Sequence, residues 1–253
     1  MIQPRLIPVL LLRKKTLVKS IRFKEYKYIG DPINVVRIFN DFNCDEIILL
    51  DIDAGKEHRT ICPSVVRKVG EEANMPLAAG GGIRTLDDIR IILEAGAERV
   101  VINSEAGIRP EFVKEAATHF GSSTIIVAVD VKRNGRGEEK VYIRNGQVEL
   151  NMSPVDYVRS MEDVGAGEIV IQSIEHDGMM NGYDIELTKN VAQAVSIPVI
   201  ALGGAGNLAH MKKLYGDVFV NGLAAGSFFV YQNANRGVLV NYPKPTDRIF
   251  EPA

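Results

Sequence analysis

Two short stretches of the same build raise the first chemical question. Ile7 to Lys14 reads IPVLLLRK and Ile126 to Arg133 reads IVAVDVKR, each climbing through apolar residues to a basic exit. In the second, Asp130 stands two residues after Ala128; at the matching place in the first stands Leu11. A carboxylate at the end of an apolar strand is a candidate general acid or base, with a loop cap as the plainer reading. If the two stretches are equivalent strands, one half of the molecule has an acid where the other has a hydrocarbon.

A second pair of motifs supports that equivalence. AGGGI at 79–83 resembles LGGAG at 202–206, and VVINSEAG, around Asn103 and Ser104, resembles LAAGS, around Gly226 and Ser227. Gly80 and Asn103 are separated by 23 positions, as are Gly203 and Gly226, while Asp51 to Gly80 is 29 and Ser173 to Gly203 is 30. Glycine-rich strand ends that lead into helix starts leave backbone N–H groups free to hold an anion. One such cup would contain Gly82, Asn103 and Ser104, the other Gly204, Gly226 and Ser227. Two cups at matched spacing predict a small-molecule ligand phosphorylated at both ends; glycines that merely serve tight turns are the alternative. SIEHDGMMNGYD adds Asp177 and Gly178 to the same rim, with His176 read as a loop residue.

Charges of alternating sign, Arg5, Glu46, Arg99 and Glu168, precede or open four apolar runs. Together they could make a salt-bridged ring at the opposite end, and conventional stability is its first explanation. The 4 histidines show no metal-ligand spacing, and neither metal nor cofactor is expected. Cys44 and Cys62 form no disulfide framework and suit a reducing cytoplasm. The net charge of −2 gives no sign of nucleic acid or an anionic membrane as partner. The apolar run Leu6–Leu12 is too short to span a bilayer.

These residues need elements to hold them. RLIPVLLL, EIILLDID, PLAAGG, RVVIN, TIIVAVDV, EIVIQSI, PVIALGG and VFVNGL read as strands. DPINVVRIFNDFN, TLDDIRIILEAGA and SPVDYVRSMEDVGAG read as helices between them. Eight strands alternating with helices predict a single α/β domain over 1–253, a (β/α)₈ TIM barrel of two half-barrel repeats, about 1–121 and 122–253. A doubly wound sheet would show a glycine-rich turn after its first strand, where this chain has LLRKKTLVK. Two additions interrupt the rhythm: a long basic loop, RKKTLVKSIRFKEYKYIGD, and a β-hairpin on Asn-Gly in KVYIRNGQVEL. The C-terminal RGVLVNYPKP is too short and Pro-rich for a closing helix.

GDP at 30–32, LLDID, GGGI, VVIN, VAVD, GAGEI, the DG and GYD of residues 177–184, and GGAG resemble, in order, the cyclase subunit (HisF) family of imidazole glycerol phosphate synthase. That resemblance implies a lyase-type barrel docked by its N-terminal face on a glutaminase, with ammonia passing a charged gate and crossing the barrel. The ammonia attacks a bis-phosphorylated formimino-aminoimidazole carboxamide ribonucleotide, giving imidazole glycerol phosphate and an aminoimidazole carboxamide ribotide. Arg5, Glu46, Arg99 and Glu168 match the gate, with Arg99 where the family more often has lysine. Lys19, Gly82, Asn103, Ser104, Gly178, Gly204, Gly226 and Ser227 match substrate and phosphate positions. The family uses two aspartates; Asp130 matches one and Leu11 replaces the other. Paralogues with an apolar residue there are associated with surface-polysaccharide pathways, where ammonia goes to a separate amidotransferase that builds an amidino sugar. The expectation is therefore an ammonia-channelling paralogue with impaired cyclase activity; an active histidine-pathway cyclase is the alternative, and an unrelated phosphosugar lyase or isomerase a third.

Overall fold

Alternation along the first strand sets the architecture. Ile7, Val9 and Leu11 belong to one apolar cluster and Leu6, Leu10 and Leu12 to another, because successive side chains of a strand face opposite sides of the sheet. In the computed structural model, which describes residues 3–232 and 237–251, this strand is β1, Arg5–Arg13. The chain continues through β2 (Thr16–Ile21), β3 (Lys24–Gly30), α1 (Pro32–Asp41), β4 (Ile47–Asp51), α2 (Pro63–Glu72), β5 (Leu77–Gly80) and α3 (Leu86–Glu94). Then come β6 (Arg99–Ile102), α4 (Ser104–Ile108), α5 (Pro110–Phe120), β7 (Ile125–Arg133), β8 (Glu139–Ile143), β9 (Val148–Leu150) and α6 (Pro154–Asp163). The last elements are β10 (Glu168–Ser173), α7 (Ile185–Ala192), β11 (Val199–Leu202), α8 (Leu208–Asp217), β12 (Gly222–Ala225) and α9 (Ser227–Val230).

Eight of these strands pair in parallel in the order β1-β4-β5-β6-β7-β10-β11-β12, and β12 returns to β1 with Arg5 opposite Gly222. The result is a closed (β/α)₈ barrel, as the alternation predicted. The larger core lies between strands and helices, and Tyr157, Phe39, Phe112 and Phe229 are fully buried there. The smaller core fills the barrel with Ile7, Val9, Ile48, Ala78, Val101, Ile126, Val170, Ile200, Leu202 and Ala224. Helix starts follow their sequence signals. Asp31 accepts from the backbone N–H of Ile33 and Asn34, and Thr85 and Asp88 form a reciprocal capping box.

Three expectations need correction. The basic stretch after β1 is an antiparallel ribbon and not a loop: β2 pairs with β1 at Leu11↔Val18, and β3 pairs with β2. Its turns use left-handed pairs, Lys14 (φ 48°) with Lys15 (φ 65°) and Arg22 (φ 51°) with Phe23 (φ 59°). Such hairpin turns usually declare themselves by Gly or Asn, absent at these four positions. The eighth barrel strand is Gly222–Ala225, later than VFVNGL suggested. Close packing requires its first residue to be glycine, since a Cβ on Gly222 would come within 2.9 Å of both Ile200 and Ile7.

The third correction concerns the register of the repeat. A Cβ on Gly81 would meet the Asp51 carbonyl at 2.5 Å, and one on Gly203 the Ser173 carbonyl at 2.9 Å. Gly81, not Gly80, is therefore the structural counterpart of Gly203. Past β12 and α9 the described residues 237–251 form an extended strap without an α-helix; Arg236, the first residue of RGVLVNYPKP, lies outside the described residues. The Tyr242 hydroxyl donates to the Leu6 carbonyl at 2.8 Å, and Arg248 pairs with Asp45 at 2.9 Å.

Candidate functional site

Period-2 alternation points one residue in two into the barrel, so each strand presents a ladder of interior side chains from its start to its end. On β1 the ladder is Arg5, Ile7, Val9, Leu11; on β7 it is Ile126, Ala128, Asp130; on β10 it is Glu168, Val170, Gln172. The bottom rungs of β1 and β10 are charged, the middle rungs are apolar, and the top rungs open into a cavity of about 670 Å³ at the C-terminal ends of the strands. Leu11, Lys19, Asn103, Asp130, Asp177 and Gly178 all line that cavity, as do Gly82, Ser104, Gly204, Gly226 and Ser227.

The strand registers settle where Leu11 stands. Leu11 pairs with Leu50, which pairs with Gly80; Asp130 pairs with Gln172, which pairs with Leu202. The next residues are the matched glycines Gly81 and Gly203. Both strands then run on into antiparallel hairpins, with Leu11 opposite Val18 and Asp130 opposite Tyr142. Leu11 and Asp130 occupy equivalent rungs.

Asp130 is buried, and burial pushes its carboxyl up to about 7, reinforced by the nearby charge of Asp177 and opposed by Asn103. The Asn103 amide donates to Asp130 Oδ2 at 3.1 Å and to the Ala128 carbonyl at 2.9 Å. A carboxyl poised there can hold or release a proton near neutral pH. Asp177 sits across the mouth, its carboxyl raised by burial, and accepts from the Ser20 hydroxyl at 2.7 Å and the Phe23 N–H at 3.2 Å. The Arg22 N–H adds a bond to the Asp177 carbonyl at 3.0 Å. These contacts lay the β2–β3 hairpin over the mouth and place Lys19 beneath it. The Lys19 ammonium donates to the Val9 carbonyl beside Gly226, and burial pulls its pKa down to about 8.

Both cups form. Gly82 (φ 69°) and Gly204 (φ 101°) pack so tightly that a Cβ would lie 1.9 Å from the Arg59 carbonyl and 2.0 Å from the Gly182 carbonyl respectively. Asn103 and Gly226 take the position preceding α4 and α9, and Ser104 and Ser227, the first residues of those short helices, line the cavity. Sequence reasoning missed Ser20 and Gln172 as members of the site. It also missed the pair of Asp51 with Arg59, 2.6 Å apart, which props the first cup from below. Ser20 enters through its contact with the distant Asp177, whereas Gln172 lies on the β10 ladder and Arg59 follows Asp51 in the same connection. His176 stays a loop residue, with Nδ1 2.9 Å from the Ser173 hydroxyl. Among the described residues no group of three His, Cys, Asp or Glu is placed to hold a metal ion, and no helix is long and apolar enough to cross a membrane.

At the bottom, each arginine of the four-residue ring bridges both glutamates. Arg5 reaches Glu46 at 2.6 Å and also bonds Glu168, while Arg99 bonds the remaining oxygens of both. Glu46 is 1% exposed; burial raises its carboxyl pKa against the pull of Arg99 and Arg5. Outside the ring, Gln3, Pro4, Pro198 and the exposed Phe219 line a depression of about 250 Å³.

The sequence profile of a family described as "Histidine biosynthesis protein" matches residues 5–235. A protein of Leptospira borgpetersenii named "Putative imidazole glycerol phosphate synthase subunit HisF" is 41% identical over 98% of both chains. Pseudomonas aeruginosa has one named "Putative imidazole glycerol phosphate synthase subunit hisF2", 40% identical over 96% of this chain and 97% of its own. The "Imidazole glycerol phosphate synthase subunit HisF" of Alkaliphilus metalliredigens is 43% identical over 93% of both chains.

Proposed function

This chain belongs to the histidine biosynthesis protein family, in its HisF branch, and from that premise we propose that it is a synthase subunit specialised to conduct ammonia. A glutaminase docks on the N-terminal face, around the depression beside Arg5, and releases ammonia at the ring of Arg5, Glu46, Arg99 and Glu168. Neutral ammonia can cross the apolar rungs above that ring, whereas ammonium would have to shed its hydration. It emerges beneath a ligand whose phosphates sit in the two cups, under the β2–β3 hairpin. The half-barrels about 1–121 and 122–253 each contribute one cup.

The observation that carries the reading is Leu11 on the rung equivalent to Asp130. Ring closure onto an imidazole needs one group to take a proton while another gives one. Asp130, near 7 and oriented by Asn103, can serve one of those roles at a time. Leucine can serve neither. A positioned acid or base contributes about 10²–10⁴ in rate, so cyclase activity is impaired by that factor. The nitrogen instead passes to a separate amidotransferase, in a pathway that builds an amidino sugar for surface polysaccharide.

The test is turnover of the bis-phosphorylated formimino ribonucleotide by the purified chain with excess ammonium salt, which bypasses the glutaminase. Turnover at least about 100-fold below that of an ordinary HisF is expected. Equal turnover would make this chain an active cyclase of histidine biosynthesis and overturn the specialised role.

A further inference from the structure

The two cups differ in charge. At Gly82 and Ser104 the β4–α2 loop, the turn after β5 and the β8–β9 turn bring Lys56, Arg84 and Arg144 to the cavity wall. The acids at that end are already matched. Asp51 holds Arg59 at 2.6 Å and Glu105 holds Arg109 at 3.4 Å, and neither of those arginines lines the cavity. Arg84 donates to the Gly55 carbonyl at 2.9 Å, and the Arg144 backbone N–H donates to the Ser104 hydroxyl at 3.1 Å. Among the described residues none of Lys56, Arg84 and Arg144 has a carboxylate partner within ion-pair distance. At Gly204 and Ser227 the lining cation is Lys19, and Asp177 offsets it.

Three cations converging on one end of a partly enclosed cavity repel one another and concentrate anions there. A single phosphate monoester, of charge at most −2, leaves that end under-neutralised; a diphosphate meets it with enough charge and more acceptor oxygens for bidentate arginine contacts. We propose that the Gly82–Ser104 end binds a diphosphate ester, and that the Gly204–Ser227 end binds a single phosphate. This rests on the cavity being an anion site, and it specifies which ligand class that site selects.

Calorimetric titration of the full-length chain with inorganic pyrophosphate and with inorganic phosphate, at one ionic strength, tests it. Pyrophosphate binds at least about tenfold more tightly, a difference of about 1.4 kcal/mol. In the double variant Lys56→Gln, Arg144→Gln that preference falls to about twofold or less; both side chains are exposed, so the thermal melt serves to confirm an unchanged fold. Equal affinity for the two anions in the parent chain, or a preference that survives in the double variant, overturns the proposal while leaving the anion site intact. Binding of neither anion overturns both.

Discussion

Replacing Leu11 by aspartate puts the central argument to a direct test. The side chain lines the mouth cavity and is half-buried, with Leu50 and Val18 as register partners. Losing half of a buried leucine's transfer energy costs about 1–1.5 kcal/mol, which lowers Tm by about 2–6 °C in a chain of this size. In exchange the site regains a second carboxyl on the rung equivalent to Asp130. The two carboxyls share one cavity, so their titrations couple, and the Asp130 proton is released above the present value of about 7. The rate with the bis-phosphorylated ribonucleotide and ammonium rises by about 10²–10⁴, equivalent to about 3–5 kcal/mol off the barrier. The pH–rate profile changes from one limb to a bell, because an acid and a base are then both required. Steady-state turnover between about pH 6 and pH 9, with a melt on the same sample, reads every part of this. A folded Leu11→Asp chain that still binds the ligand yet gains no rate would refute the reasoning, since the deficit would then lie elsewhere in the site.

Asp130→Asn reports on burial. The carboxyl titrates at about 7 in the folded chain and at about 3.9 unfolded, so between those values the folded state binds more protons. Stability of the parent chain therefore falls as pH rises from about 4 to about 7, by up to about 4 kcal/mol, while the asparagine variant lacks that loss. Urea unfolding of both at about pH 5 and pH 8 should show the variant gaining on the parent; a constant difference contradicts the buried carboxyl. Glu46→Lys leaves Arg5 and Arg99 with Glu168 alone. In the glutaminase complex it should depress glutamine-driven turnover at least about tenfold and spare ammonium-driven turnover, whereas equal losses would reduce the ring to a structural part. Gly204→Ala forces a Cβ to within 2.0 Å of the Gly182 carbonyl at φ 101°. It should cost about 2–4 kcal/mol by urea unfolding and weaken phosphate binding, and a neutral outcome would mean the second cup is less rigid than its geometry.

The alternation of strands with helices was legible because parallel strands covered on both faces are continuous apolar runs, as in EIILLDID and TIIVAVDV. Leu11 against Asp130 was legible for the same reason: two similar runs differ at one chemically decisive residue. The short strands were harder. Gly222–Ala225 has no β-branched residue, and Gly222 is held to glycine by Ile200 and Ile7, so propensity drew the expected strand toward Val218 and Phe219. The β2–β3 ribbon was hidden by turns that use lysine, arginine and phenylalanine in left-handed conformations. The clamp of the Asp177 carboxylate on the Ser20 hydroxyl and the Phe23 N–H joins segments far apart in the chain. Such meetings have no local signature.

Closure of the barrel also dictates an order of events during synthesis. β1 is made first, yet one of its edges waits for β12, the last barrel strand, and pairings between such distant segments form slowly. An unpaired strand edge on a nascent chain invites association with other chains. Here the waiting edge is short. Beyond Leu11 it is taken by β2, its immediate neighbour in sequence, so only Arg5–Pro8 must wait, and Pro8 has no N–H to offer a stranger. The hairpin that roofs the mouth thus also covers the part of the β1 edge that β12 does not reach.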